Sequence, residues 1–176
     1  ENMKAKVEQR TPRNFEWVLE CVLTGKYRVV KPHEVEEVFK QLEKDYKKTK
    51  LTAFDTETTG LDFTFRGFYG GGSIMVGAVL SAKPGTSYYF PLAHKKFPNV
   101  CDGDIELFVE KYLQPYLGDK KVVAHNNIFD WKVGYRHGLV YDCWLDTLVA
   151  MRKTYSARDN EEYGLKAVTD KFLHRE

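Results

Sequence analysis

Hydrophobic and polar residues follow two rhythms along this chain. Val35, Val38, Phe39, Leu42 and Tyr46 recur at helical spacing behind Pro32, which opens a helix. Glu34, Glu36 and Glu37 stand toward its start and Lys44, Lys47 and Lys48 toward its end, the order that suits a helix dipole. A second amphipathic helix is predicted over residues 104–117, where Ile105, Phe108, Val109, Tyr112, Leu113 and Tyr116 form one face and Gly118 sits past the end. Residues 145–154 and 162–173 read as further helices, the latter with Leu165, Val168 and Phe172 in period. A short helix is expected over 15–23, after a polar tail or linker remnant over 1–14.

The strand signals are shorter. Residues 27–30 form one short run, and the apolar run from Leu51 to Phe54 leads a second. Residues 74–80 and 87–92 flank Lys83-Pro84-Gly85, a strong turn signal, and with the Leu51 strand they predict an antiparallel meander. Residues 121–124 form a short buried strand, and His125 to Asp130 then lead into a helix ending near Gly138. Residues 140–143 are read as another strand. Strands alternating with helices in the second half predict an α/β fold whose later strands run parallel. Residues 63–72, rich in aromatics and glycine, read as an irregular loop, its aromatics either packed on the domain or free to stack on unpaired bases. There is no internal repeat and no low-complexity segment.

Composition narrows the class without naming an activity. The 176 residues fit one domain with a sizeable core. A net charge of +2, from 27 basic and 25 acidic residues, argues neither for nor against nucleic acid, so any basic surface must be gathered by the fold. Lys47, Lys48 and Lys50 are such a cluster, read either as a phosphate contact or as a solvated helix end. Cys21, Cys101 and Cys143 are odd in number and widely spaced, which points to a reducing, cytoplasmic setting rather than a disulfide framework. No apolar run approaches a membrane span and no secretion signal opens the sequence, so no membrane partner is expected.

The candidate chemistry lies in Phe54-Asp55-Thr56-Glu57. On a strand, residues two apart share a face, so Asp55 and Glu57 project side by side with Thr56 opposite. Adjacent carboxylates repel, and a divalent cation with oxygen ligands, Mg²⁺ or Mn²⁺, resolves the conflict. The plain alternative is a solvated strand end before the Gly60 turn. Asp130 stands just past a strand end at the start of a helix, where α/β sheets gather ligands, and is a candidate third acid. A helix-start carboxylate is the other reading.

These residues resemble a known family. Phe54 to Asp62 is similar to the first motif of the DEDD superfamily of 3′–5′ exonucleases, and Asn126-Asn127-Ile128-Phe129-Asp130 to the second. Residues 76–81, Pro84-Gly85, 89–94, Asp146-Thr147-Leu148 and 163–167 resemble, in order, the proofreading domain of family A DNA polymerases, the DNA polymerase I type. The resemblance runs from about residue 27 to 173. It implies a ribonuclease H-like fold, an antiparallel meander followed by parallel strands and flanked by helices. It implies two-metal hydrolysis of single-stranded DNA at the 3′ end, with two divalent cations, Mg²⁺ or Mn²⁺, as cofactors. Asp55 would bridge the ions, Glu57 would ligate the one carrying the attacking water, and Asp130 would hold the second through water. Backbone around Thr58 and the Leu61 side chain would meet the terminal nucleotide, and Asn126 would help to position it. A polymerase domain in the parent chain is the implied partner, and a replication complex of a virus or bacterium the implied setting.

One departure matters. The family's third motif, Tyr-x-x-x-Asp or His-x-x-x-x-Asp, belongs beyond the Gly164-Leu165-Lys166 helix, and this sequence stops at Glu176. Tyr155 to Asp159 matches by letters but precedes that helix, and Asp159 comes only 29 residues after Asp130. The expected organisation is therefore a tail and short helix over 1–26 and an exonuclease-like domain over 27–176 without its last motif. The alternative function is a catalytically incomplete module that binds nucleic acid or a protein partner. A ribonuclease of the same superfamily is a third reading.

Overall fold

Among the described residues, six strands form a single sheet: β1 (Tyr27–Val29), β2 (Thr52–Thr58), β3 (Met75–Ser81), β4 (Ser87–Pro91), β5 (Val122–Ala124) and β6 (Cys143–Asp146), in the order β1-β4-β3-β2-β5-β6. A computed structural model describes residues 20, 23–61, 72–154, 163–165 and 167–169. The expected tail over 1–14, most of the 15–23 helix, the 63–72 loop apart from Gly72, Tyr155 to Asp159 and about half of the 162–173 helix lie outside the described residues.

The meander is present: β2 pairs antiparallel with β3, and β3 with β4. β5 joins β2 in parallel, and β6 joins β5 in parallel. β1 adds itself to β4 in parallel, a pairing that no local pattern announced. The fold is a mixed α/β sheet flanked by helices, as expected.

The helices are α1 (Val35–Thr49), entered through a 3₁₀ turn at Pro32–Glu34, α2 (Ile105–Phe108), α3 (Gln114–Leu117), α4 (Asn127–Arg136) and α5 (Thr147–Thr154). A π-helical turn, Val109–Leu113, joins α2 to α3. Pro115 accounts for it, because its ring clashes with the carbonyl four residues back, at Lys111, and it has no N–H to donate there.

Helices α1 to α4 cover one face of the sheet. Phe39 of α1 reaches Phe90 of β4 at 5.1 Å between ring centres, and Tyr112 and Tyr116 at 5.4 and 5.6 Å. His137, just after α4, bonds Glu106 of α2 at 2.8 Å. On that covered face β2 presents Thr52, Phe54 and Thr56, none more than 7% exposed. Ala53, Asp55 and Glu57 point the other way and are exposed.

Two predicted boundaries move. Residues 140–143 were expected as a strand, but both backbone groups of Val140 are taken by the Gln114 amide, at 2.7 and 2.9 Å, and pairing begins only at Cys143. The helix expected from residue 145 begins at Thr147, because the Asp146 side chain caps it.

Candidate active site

The alternation of β2 places Asp55 and Glu57 together on the sheet face turned away from α1 to α4. Across the sheet, Asp55 lies opposite Val79, which lies opposite Tyr89. Glu57 lies opposite Gly77, which lies opposite Pro91. The register slips directly after Glu57, a bulge of the kind that re-aims side chains where pairing ends. Partial withdrawal from water at the sheet surface and, next, the charge of Glu57 push the Asp55 carboxyl above its ordinary value, opposed by the Thr56 backbone and then by His125.

Asp130 sits behind this pair. It is 2% exposed, and one carboxylate oxygen accepts hydrogen bonds from the Thr56 backbone N–H at 2.9 Å and from the Thr56 hydroxyl at 2.6 Å. The reason is a gap in the sheet. The β2–β5 ladder ends at Ala53 and Val123, so the Thr56 N–H has no strand carbonyl to meet and takes the carboxylate instead. Burial, and then the nearby charge of Asp55, raise Asp130 to a pKa of about 6 against the pull of the Thr56 bonds. The structure thus brings Asp55 and Glu57 together and holds Asp130 on Thr56, at the covered side of the same strand. Among the described residues, no three His, Cys, Asp or Glu side chains are gathered closely enough to hold a metal ion as they stand.

The expected substrate contacts are placed as follows. Thr58 ends β2 half-buried, and its hydroxyl donates to the Gly60 carbonyl at 2.8 Å. Leu61 is 79% exposed just beyond. Asn126 precedes α4 in a left-handed conformation, φ 64° and ψ 47°, with its side chain exposed.

Sequence reasoning missed what fixes Asn126. One Asp146 carboxylate oxygen accepts from the backbone N–H of Asn126 at 3.1 Å, Leu148 at 2.9 Å and Val149 at 3.3 Å, and the other from Asn127 at 2.8 Å. One anion therefore satisfies the starts of α4 and α5 at once, where orphan N–H groups and helix dipoles favour it. The available signal was the Asp-Thr-Leu order, an N-cap followed by a helix. Tyr141 completes the frame: its hydroxyl donates to the Asn127 side chain at 2.8 Å and its ring meets Phe54 edge-on at 5.3 Å. A cavity of about 580 Å³ between α1 and the α2–α3 segment includes none of these residues.

Solved structures share this arrangement of elements. The EXD2 exonuclease domain matches at 19% identity over 85% of this chain and 70% of its own, with a TM-score of 0.53. Trypanosoma brucei RNase D, solved as a GMP complex, matches at 17% identity over 86% of this chain and 43% of its own, with a TM-score of 0.55. This chain therefore shares the fold of the EXD2 exonuclease domain and of RNase D. Brucella melitensis NrnC bound to pGG is also similar, at 20% identity, 72% of this chain, 54% of its own and a TM-score of 0.49. The chain spans about half the length of NrnC. No protein-family model and no curated protein matches the sequence.

Proposed function

We propose that residues 27–176 are a metal-dependent 3′–5′ exonuclease domain acting on single-stranded DNA, of the proofreading type and tied to a family A polymerase domain in its parent chain. The observation that carries this reading is the Asp55–Glu57 pair, two carboxylates side by side on an exposed sheet face with a third acid, Asp130, buried behind them. The pair fits a divalent cation, since oxygen ligands that disfavour each other's charge are what Mg²⁺ or Mn²⁺ relieves. Asp55 and Glu57 are the residues that would hold such ions, with Asp130 behind them as the third acid. When bound, the ions supply a water activated for attack and offset the charge that builds on phosphorus.

The chain's own residues supply position. Thr56 holds Asp130 in place through two hydrogen bonds, and Asp146 fixes the backbone turn at Asn126. Leu61 and the Thr58 backbone line the approach beyond the strand end, where an unstacked terminal nucleotide would rest. A second reading, a module that binds without cutting, is favoured by the lack of a ready three-acid cluster among the described residues.

Titration with Mn²⁺ followed by matched DNA and RNA single strands separates these readings. The nuclease reading expects Mn²⁺ binding that Asp55→Ala removes, and DNA shortened from its 3′ end. Unchanged Mn²⁺ binding in that variant would count against it, strand binding without cleavage would favour the module, and faster loss of RNA would reassign the substrate.

A further inference from the structure

The segment joining β4 to α2 leaves the sheet at the end of β2 that carries the carboxylates, and it bears aromatic and basic side chains. It reads Leu92-Ala93-His94-Lys95-Lys96-Phe97-Pro98-Asn99-Val100. β4 ends at Pro91, which faces Gly77, which faces Glu57. The segment therefore leaves the sheet in the same row as Glu57, two strand spacings away, or roughly 10 Å.

Its course is pinned. The Leu92 and Ala93 N–H groups both donate to the Val76 carbonyl, at 2.9 and 3.2 Å, and the Val100 N–H donates to the Pro91 carbonyl at 2.7 Å. The Asn99 amide grips the His94 backbone twice, accepting from its N–H at 2.7 Å and donating to its carbonyl at 3.0 Å. The Tyr89 ring lies across Gly77, where an added Cβ would fall 2.1 Å from the hydroxyl oxygen, and that hydroxyl hydrogen-bonds the His94 ring. Gly77 thus has no room for a side chain, and Tyr89 bridges the ground between Glu57 and the loop.

At the tip of this rigid turn stand Lys95, Lys96 and Phe97, all exposed. Phe97 is 70% exposed, its ring edge-on to His94 at 6.2 Å. Neither lysine takes part in an ion pair among the described residues. An aromatic ring left in water directly after two exposed lysines is the chemistry that unpaired bases and their phosphates match.

We infer that this loop binds single-stranded nucleic acid, with Phe97 stacked on an unpaired base and Lys95 and Lys96 on its flanking phosphates, upstream of the nucleotide presented to Asp55 and Glu57. The inference rests on the nuclease reading only for that last placement; the binding itself needs no cleavage.

The test is fluorescence anisotropy of a 5′-labelled oligothymidylate with the whole chain in EDTA, repeated over a salt series. Phe97→Ala should weaken binding by about five- to a hundredfold, and Phe97→Trp should retain it. Lys95→Ala with Lys96→Ala should reduce the salt slope by about 1.4, two phosphates at about 0.7 each. Thermal unfolding should be unchanged, since these side chains are exposed. If the wild type binds and both variants bind as tightly with the same slope, the strand runs elsewhere and the inference fails while the nuclease reading stands. If the wild type does not bind the strand yet cuts dinucleotides in an Asp55-dependent way, the inference again fails alone. If it neither binds nor cuts, both fall together.

Discussion

Asp130→Asn should stabilise the protein more at pH 8 than at pH 4.5. Asp130 is 2% exposed and titrates near pH 6, against an ordinary value of 3.8. Between those pH values the folded chain keeps a proton that the unfolded chain has released, so stability falls as pH rises and levels off above the folded pKa. The ionised carboxylate then costs about 3 kcal/mol at pH 8 and about 1 kcal/mol at pH 4.5, from roughly two units at ~1.4 kcal/mol each. Asparagine keeps the oxygen that accepts the two Thr56 bonds and removes the charge. The variant's advantage should therefore grow by about 2 kcal/mol between the two pH values, or roughly 4–8 °C in Tm for a domain of this size. Circular-dichroism melts of both proteins in EDTA measure it. An advantage that is the same at both pH values, or that shrinks as pH rises, would show that Thr56 offsets the burial of Asp130 and that the acid is not held at a cost.

Three further outcomes follow from the geometry. Mn²⁺ at a hundred times its Kd should stabilise the wild type by about 2.7 kcal/mol and leave Asp55→Ala unshifted in a thermal-shift assay, and equal shifts in both proteins would place the ion elsewhere. Asp146→Ala strips the acceptor from four backbone N–H groups at two helix starts and should cost about 1–3 kcal/mol in urea unfolding, with Asp146→Asn recovering part; an unchanged midpoint would show that water caps both helices. Gly77→Ala drives a methyl into the Tyr89 hydroxyl and should destabilise by about 1–3 kcal/mol, a loss that Tyr89→Ala in the same chain reduces; a cost that persists there would lie in the backbone.

The parts of the site that repeat with a period were legible in the sequence. Asp55 and Glu57 share a face because strands alternate, and the buried stripe of α1 follows from Val35, Val38, Phe39 and Leu42. What a side chain does to a distant backbone was not legible. Gln114 occupies Val140 from 26 positions away and erases a predicted strand start. Asp146 read as part of a helix although it is the acceptor that begins two. Asp130 showed in its motif position, but its seat on Thr56 depends on β5 parting from β2 after Ala53, which only the folded sheet reveals. The parallel pairing of β1 with β4 likewise joins segments about 60 residues apart, with no local signature of its own.

The proposal that Asp55 and Glu57 form a nuclease centre is tested most directly by incubating 5′-labelled single-stranded DNA with the 176-residue chain and Mn²⁺, alongside Asp55→Ala. Stepwise shortening from the 3′ end that Asp55→Ala abolishes is the predicted result. An intact strand with the folded wild type, or equal shortening by both proteins, would contradict it.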